Sequence, residues 1–128
     1  MRVIDIEESV FGNKDYEISV PEIKTDKEFY SLAYDIAGIG TVDRIECMGY
    51  LDMDTHENFI TFKSRDEFRK NIAEVKRIET DCITVFFAEN KGWNSVKVAF
   101  GNASRVYATG NDAFLNSVLA LLKKRFGN

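Results

Sequence analysis

The sequence predicts an α+β fold in which about three ββα-like units form a mostly antiparallel sheet of six to seven strands, with three helices packed on one face. Three segments begin with a residue that can cap a helix and place a phenylalanine four positions later, at 25–29, 64–68 and 110–114. Each follows stretches in which apolar and polar residues alternate, the pattern of a half-buried strand. The 128 residues, 45% of them hydrophobic, have the size and composition of a single domain spanning 1–128.

The three helices are predicted from their caps and from apolar residues spaced three or four positions apart. The first two helices fit a capping box. In this motif the hydroxyl of the cap residue accepts from the backbone N–H three residues later, and the carboxylate of that later residue accepts from the backbone N–H of the cap. Its residues are Thr25 with Glu28 and Ser64 with Glu67. The third helix lacks the box, and its cap is Asn111 or Asp112. The apolar stripes are Phe29, Leu32, Ala33 and Ile36; Phe68, Ile72, Val75 and Ile78; and Phe114, Leu115, Val118, Leu119, Leu121 and Leu122. Because the third stripe is widest, we expect that helix to be the most buried.

The predicted strands are rich in β-branched and aromatic residues and lie at 2–7, 16–20, 42–53, 58–63, 82–88, 95–100 and 105–108. Within 42–53 the odd positions, among them Ile45 and Cys47, suit the core. The even positions therefore face away from the helices, and they are Arg44, Glu46, Met48, Tyr50, Asp52 and Asp54. A sheet covered on one side leaves its other face to water or to a partner, and this face combines acids with Met and Tyr.

No sequence motif dictates a chemistry, since CxxC, HExxH, P-loop and GxSxG patterns are all absent. The densest polar cluster is Asp52, Asp54, His56 and Glu57, in a predicted hairpin connection. A divalent cation could take such ligands, but a calcium loop requires glycine at its sixth position and glutamate at its twelfth. This chain has Glu57 and Lys63 there, so a polar turn is the favoured interpretation and we expect no metal and no cofactor.

The only tryptophan, Trp93, follows Asn90-Lys91-Gly92, a sequence typical of a hairpin turn. Tryptophan is enriched at the hot spots of interfaces, so Trp93 is a candidate anchor for a partner. The alternative is that it folds back over the end of the core.

Charge is distributed unevenly along the chain. Residues 1–60 contain fourteen acids and five bases, a net charge of −9, and residues 61–128 contain seven acids and twelve bases, a net charge of +5. An acidic surface can steer a basic partner toward it. A nucleic acid would require a basic stripe, and the bases of the second helix are interleaved with acids, so we expect no nucleic-acid partner.

These observations favour a non-enzymatic protein-binding domain, with an acidic inhibitor or antidote of the toxin-immunity type as the best hypothesis. Its partner would be basic, such as a nuclease, and its partner-binding residues would be Glu46, Met48, Tyr50, Asp52, Asp54, Glu57 and Trp93. The alternatives are an accessory or oligomerising subunit of a larger assembly, including a homodimer, and a small metal-binding enzyme that uses the 52–57 loop.

The sequence also indicates a compartment. Its first residues lack the apolar stretch of a signal peptide, and no run of apolar residues is long enough to span a membrane. We therefore expect a cytoplasmic protein, in which Cys47 and Cys82 are buried free thiols.

Overall fold

A single antiparallel sheet organises the chain in a computed structural model, which describes residues 1–50, 57–72, 79–100 and 104–127. The described strands are β1 (Arg2–Glu8), β2 (Lys14–Ser19), β3 (Val42–Tyr50), β4 (Glu57–Phe62), β5 (Glu79–Phe87), β6 (Ser95–Ala99) and β7 (Arg105–Gly110). Their spatial order is β1-β2-β7-β6-β5-β3-β4, and every neighbouring pair is antiparallel. The described helices are α1 (Asp26–Ala37), α2 (Arg65–Lys70) and α3 (Asp112–Phe126). The predicted cadence of two strands and a helix, with one extra strand in the last unit, is confirmed.

The core lies between the helices and one face of the sheet. The strand residues that point toward the helices are almost completely buried, and among them are Ile18, Ile45, Cys47, Ile83, Val85, Val96, Val98 and Val106. They alternate with less buried neighbours along each strand, as expected for an antiparallel sheet with one covered face. The prediction that the odd positions of β3 face the core is therefore confirmed at Ile45 and Cys47, both 0% exposed.

Among the helices that the structure describes, the most buried is α1 rather than α3, contrary to the expectation from the apolar stripes. Helix α1 buries six residues, whereas α3 buries four and leaves Leu119 and Leu121 half-buried. The reason is placement: α1 packs against β5 and β6 in the middle of the sheet, and α3 packs against β7, nearer the edge formed by β1. The width of an apolar stripe does not say how much sheet lies beneath it.

The helix caps follow the prediction in part. The side-chain oxygens of Thr25 and Ser64 each accept from the backbone N–H three residues later, at 3.1 Å. The carboxylates of Glu28 and Glu67, however, accept from the N–H of the residue before the cap, at 3.0 and 2.8 Å, and not from the cap itself. In α3 the cap is Asn111, whose Oδ1 accepts from the Phe114 N–H at 2.9 Å.

The described part of the second predicted helix is interrupted at one residue. Helix α2 ends at Lys70 because Asn71 leaves helical geometry, with φ −110° and ψ 30°, while its side chain donates to the Glu67 carbonyl at 2.8 Å. Ile72 is again helical. The predicted stripe residues Val75 and Ile78 lie outside the described residues.

Cys47 and Cys82 are buried, as predicted, and neither forms a disulfide with another described residue. Burial disfavours the thiolate, and the nearby Cys82 adds repulsion, so the pKa of Cys47 is raised to about 12. Cys47 is therefore a neutral part of the core at physiological pH.

None of the helices in the described ranges has both the length and the apolar composition needed to traverse a lipid bilayer.

The cap of α1 can be tested by substitution. Thr25→Ala removes the acceptor for the Glu28 N–H, and we expect it to lower the free energy of unfolding by about 1 kcal/mol in urea denaturation. Thr25→Ser retains the hydroxyl and should restore most of the loss. An alanine variant as stable as the serine variant would contradict the role of this hydrogen bond.

The buried thiol predicts a loss of stability at high pH. The pKa of Cys47 in the folded chain lies above its ordinary value of 9.0. The thiol therefore makes its full contribution to the free energy of unfolding below pH 9.0, and this contribution is lost as the pH rises toward about 12. In that window the free energy of unfolding of the wild type should fall with a slope up to about 1.4 kcal/mol per pH unit steeper than that of Cys47→Ala. Urea titrations across the window measure both slopes, and parallel curves would contradict the assignment.

Candidate functional site

The face of the sheet opposite the helices is the candidate site, and we call it the open face. Across β2, β7, β6, β5 and β3 the register aligns one row of its residues, Glu17, Tyr107, Lys97, Thr84 and Glu46. A second row is Asp15, Thr109, Ser95, Phe86 and Arg44. All of these side chains are half-buried or exposed. The open face is thus a polar surface about 29 Å wide, given six strand spacings of roughly 4.8 Å.

Acidic residues concentrate at the β1 end of the open face, around a groove of about 410 Å³. The two strands of the first hairpin place four carboxylates on its walls, Asp5, Glu7, Asp15 and Glu17. They share one face because β1 and β2 pair in register, Asp5 opposite Glu17 and Glu7 opposite Asp15. The opposite wall is formed by Lys97, Tyr107 and Thr109, from the two strands that follow β2 in the sheet. We call this site the acidic groove.

Two of the carboxylates in the acidic groove are held by neighbours. The Thr109 hydroxyl donates to Asp15 Oδ1 at 2.7 Å, and Arg105 Nε lies 3.6 Å from Glu17 Oε2. Within the described residues, Asp5 and Glu7 have no hydrogen bond or ion pair, and both are exposed. Two charged carboxylates are therefore available to a cation.

The acidic groove ends near two hairpin turns that carry exposed aromatic residues. Phe11, in the β1–β2 turn, is 86% exposed, and Trp93, in the β5–β6 turn, is 39% exposed. Their ring centroids lie 5.8 Å apart, a distance at which aromatic rings contact each other. Val10 beside them is 51% exposed. We call these three residues the aromatic tip.

The backbone at the aromatic tip is strained. Phe11 has φ 56° and ψ 36°, the left-handed region that a residue with a bulky side chain avoids at a cost of about 1–2 kcal/mol. Lys91, at the corresponding place in the second turn, has φ 55° and ψ 29°. Both turns then continue into a glycine with positive φ, Gly12 and Gly92. Each turn thus places one residue in the left-handed region directly before a glycine, and in the second turn Asn90 also has φ 56°. Glycine or asparagine would adopt this conformation more easily than Phe11.

A network of buried asparagines joins the two turns. Asn90 Nδ2 donates to Asn13 Oδ1 at 2.8 Å and to Asn94 Oδ1 at 2.9 Å. Asn13 and Asn94 are 1% and 4% exposed and Asn90 is half-buried, so the acceptor side of these bonds lies in the interior. Gly110 leaves room for the network, because a Cβ there would contact Asn94 Oδ1 and lie 2.7 Å from Phe114 Cδ2. The aromatic tip therefore rests on a fixed base.

The residues predicted to bind a partner do not form one cluster. Glu46 and Met48 lie on the open face and are half-buried, but Glu46 Oε1 already accepts from Arg44 Nε at 3.0 Å. Trp93 follows β5, beside the start of β3, whereas Tyr50 ends β3 roughly 25 Å away, at about 3.4 Å per residue. Of the residues predicted to bind a partner, Trp93 therefore belongs to the aromatic tip, and Tyr50 lies at the opposite end of β3.

Four of the predicted residues fall where side chains are not described. Tyr50 and Glu57 are described by their backbone, as a register pair of β3 and β4. Asp52 and Asp54, with His56, lie outside the described residues. Within the described residues, no group of three or more histidine, cysteine or carboxylate side chains could hold a metal ion.

Sequence reasoning missed the residues of the acidic groove and the exposed phenylalanines. Strict alternation in the first hairpin places Asp5, Glu7, Asp15 and Glu17 on one face, and that signal is readable from the sequence. The same alternation in β4 turns Phe62 inward and Phe59 outward, where it is 59% exposed opposite Met48. The left-handed conformation of Phe11 leaves no sequence signal, because phenylalanine is not a residue that favours it.

Comparisons of the chain with protein-family models, with curated proteins and with solved structures find no match.

The strain at Phe11 predicts that removing the ring stabilises the chain if the new residue tolerates the left-handed region. We expect Phe11→Asn to raise the free energy of unfolding by about 1 kcal/mol, measured by thermal and urea denaturation. Phe11→Ala removes the same ring but keeps the steric penalty, so it is the matched control and should not be stabilised. Equal losses in both variants would mean that the contact with Trp93 stabilises the fold by more than the strain costs.

Proposed function

We propose that the chain is a non-enzymatic protein-binding domain that captures a basic partner on the acidic groove and the aromatic tip. The observation that carries the proposal is the arrangement of Asp5 and Glu7, two exposed carboxylates without a partner among the described residues. The groove that they line is built from strands that lead into the turns with the exposed aromatic rings. Carboxylates steer and orient a cationic surface, and aromatic side chains supply buried contact area. The two features supply complementary parts of an interface.

The charges in the groove favour a cationic ligand. Four carboxylates line it together with a single base, Lys97, whose Nζ lies 4.9 Å from the Tyr107 ring centroid. Burying that surface against a neutral partner would leave Asp5 and Glu7 desolvated without compensation. A lysine or arginine from a partner would restore their hydrogen bonds and their charge balance.

The β1 edge of the sheet argues for a different protein, rather than a second copy, at this side of the sheet. Strand β1 is an outer strand and carries Asp5, Glu7 and Glu8, all exposed. Pairing two copies of β1 would bring like charges together, which is unfavourable and is one way in which proteins protect exposed edges. The same charges would attract a basic segment.

The aromatic tip supplies the apolar part of the proposed interface. Phe11 is 86% exposed in a backbone conformation that is unfavourable for it, so neither burial nor turn preference accounts for a phenylalanine at that place. Residues strained in this way concentrate at functional sites. The Asn13–Asn90–Asn94 network fixes the tip in advance, which reduces the entropy lost when a partner binds.

Among basic partners, we favour a nuclease toxin, whose own groove must be basic to hold a nucleic acid. The protein would then act as an inhibitor or antidote of the toxin-immunity type. Two buried cysteines that form no disulfide among the described residues, Cys47 and Cys82, suit a reducing compartment, so the proposed location is the cytoplasm.

A charge-neutral double variant tests the groove. Immobilised wild-type protein is used to capture partners from a lysate of the source organism at low salt, and each captured protein is identified and purified. We expect Asp5→Asn with Glu7→Gln to lower the association rate of the true partner several-fold at low salt and to flatten its salt dependence, because steering is screened beyond about 10 Å at 0.1 M salt. Surface plasmon resonance at several ionic strengths measures both effects.

The matched control is Glu22→Gln with Asp81→Asn, which removes the same charge from two exposed residues outside the groove. Phe11→Asn should leave the association rate nearly unchanged and increase the dissociation rate. Binding that is indifferent to salt, or equally weakened by both double variants, would contradict the proposal.

A further inference from the structure

A second cavity lies on the helical side of the molecule, away from the open face. It has a volume of about 510 Å³, within the range of small-molecule sites, and opens between the C-terminal ends of α1 and α3 and the first residue of α2. Three bases line it, Arg65, Lys124 and Arg125, together with one acid, Asp35. We call it the interhelical pocket.

The guanidinium group of Arg65 is fixed in the interhelical pocket. Its Nε donates to the Tyr34 carbonyl oxygen at 2.9 Å, and its Cζ lies 3.9 Å from the centroid of the Tyr34 ring. Gly38 lies against it, since a Cβ at that residue would be 2.9 Å from Cζ and from Nη2. These contacts occupy the Nε–H, one of the five N–H donors of the arginine. They hold the two Nη groups, which form the terminal fork of the guanidinium, in a fixed orientation.

The charge in the pocket is not balanced by the residues that line it. Asp35 is already engaged, because its Oδ2 accepts from Arg125 Nη1 at 2.6 Å. Lys124 is exposed and has no hydrogen bond or ion pair within the described ranges. Arg65 and Lys124 therefore present positive charge that no acid of the pocket neutralises.

The helix dipoles explain only part of this arrangement. Lys124 and Arg125 belong to the last turn of α3, where cations are favourable. Arg65 is the first residue of α2, where a cation is unfavourable, so the dipole of its own helix does not account for it. Its bond to Tyr34 helps to end α1, but that role requires only one donor.

We propose that the interhelical pocket binds a small molecule that carries a carboxylate or phosphate group on an apolar body. The oriented fork of Arg65 and the ammonium group of Lys124 would hold the anionic group, since an arginine fork matches the geometry of both oxyanions. Ile39 and Leu121 also line the pocket and provide the apolar wall. The proposal does not depend on the partner-binding function proposed for the open face, because it uses none of the same residues.

The test is a titration of ¹⁵N-labelled protein with four probes, octanoate, octyl phosphate, inorganic phosphate and 1-octanol, in which the amide signals of Gly38 and Ile39 are followed. We expect saturable shifts at both amides with octanoate, octyl phosphate or both, and the tighter of the two identifies the anionic group. Equal binding of 1-octanol would overturn the role of the charge. Equal binding of inorganic phosphate would overturn the role of the apolar body.

Substitutions assign the effect to the pocket. Lys124→Gln should weaken binding about tenfold, the value of one charge-assisted hydrogen bond. Lys123→Gln is the matched control, because it removes the same charge from the neighbouring exposed residue outside the pocket lining, and it should leave the affinity unchanged. Arg65→Lys keeps the charge but loses the fork, and it should also weaken binding.

If Arg65→Lys fails to fold, Lys124→Gln still tests whether the probe binds in the pocket, because Lys124 is exposed and its replacement does not disturb the core. Absence of saturable shifts at millimolar probe, or equal affinities of Lys124→Gln and Lys123→Gln, would overturn the proposal.

Discussion

The structure depends on one constraint: an antiparallel sheet has two faces, and the described helices of this chain cover one of them. The inward residues of the central strands are almost completely buried beneath α1 and α3. Because side chains alternate along a strand, every buried residue places its neighbours on the other face. The way in which the core is built therefore determines which residues lie on that face, and these include Phe59, Phe86 and Tyr107 as well as charged residues.

The pairing of β2 with β7 determines where those charges collect. The first hairpin is joined to the rest of the sheet through the last strand, so its carboxylates lie beside Tyr107 and Lys97, residues about ninety positions later in the chain. The same pairing brings the β1–β2 turn to the β5–β6 turn, where Asn13 and Asn90 bond. One long-range strand pair thus assembles both the acidic groove and the base of the aromatic tip.

Local patterns predict the elements of this fold but not their spatial order. Alternation and capping residues identify the strands and the starts of the helices, because both depend on interactions within a few residues. The neighbour of β2 depends on contacts across the whole chain, and nothing in the first hairpin specifies it. Arg44, Glu46 and Met48, even positions of β3, lie on the open face as predicted. Glu46 is paired with Arg44, whereas Asp5 and Glu7, which have no ion pair among the described residues, lie toward the other edge of the sheet.

The acidic groove and the aromatic tip also contain features that lower the stability of the folded chain. Four neighbouring carboxylates repel one another, and a phenylalanine in the left-handed region costs free energy that asparagine would not. A sequence under selection for folding alone would avoid both features, since in such a sequence the local conformational preference of each residue agrees with the overall fold. Such conflicts are expected where a second requirement acts on the same residues. That two of them adjoin, one supplying charge and the other exposed aromatic surface, is the physical argument for a partner that contacts both at once.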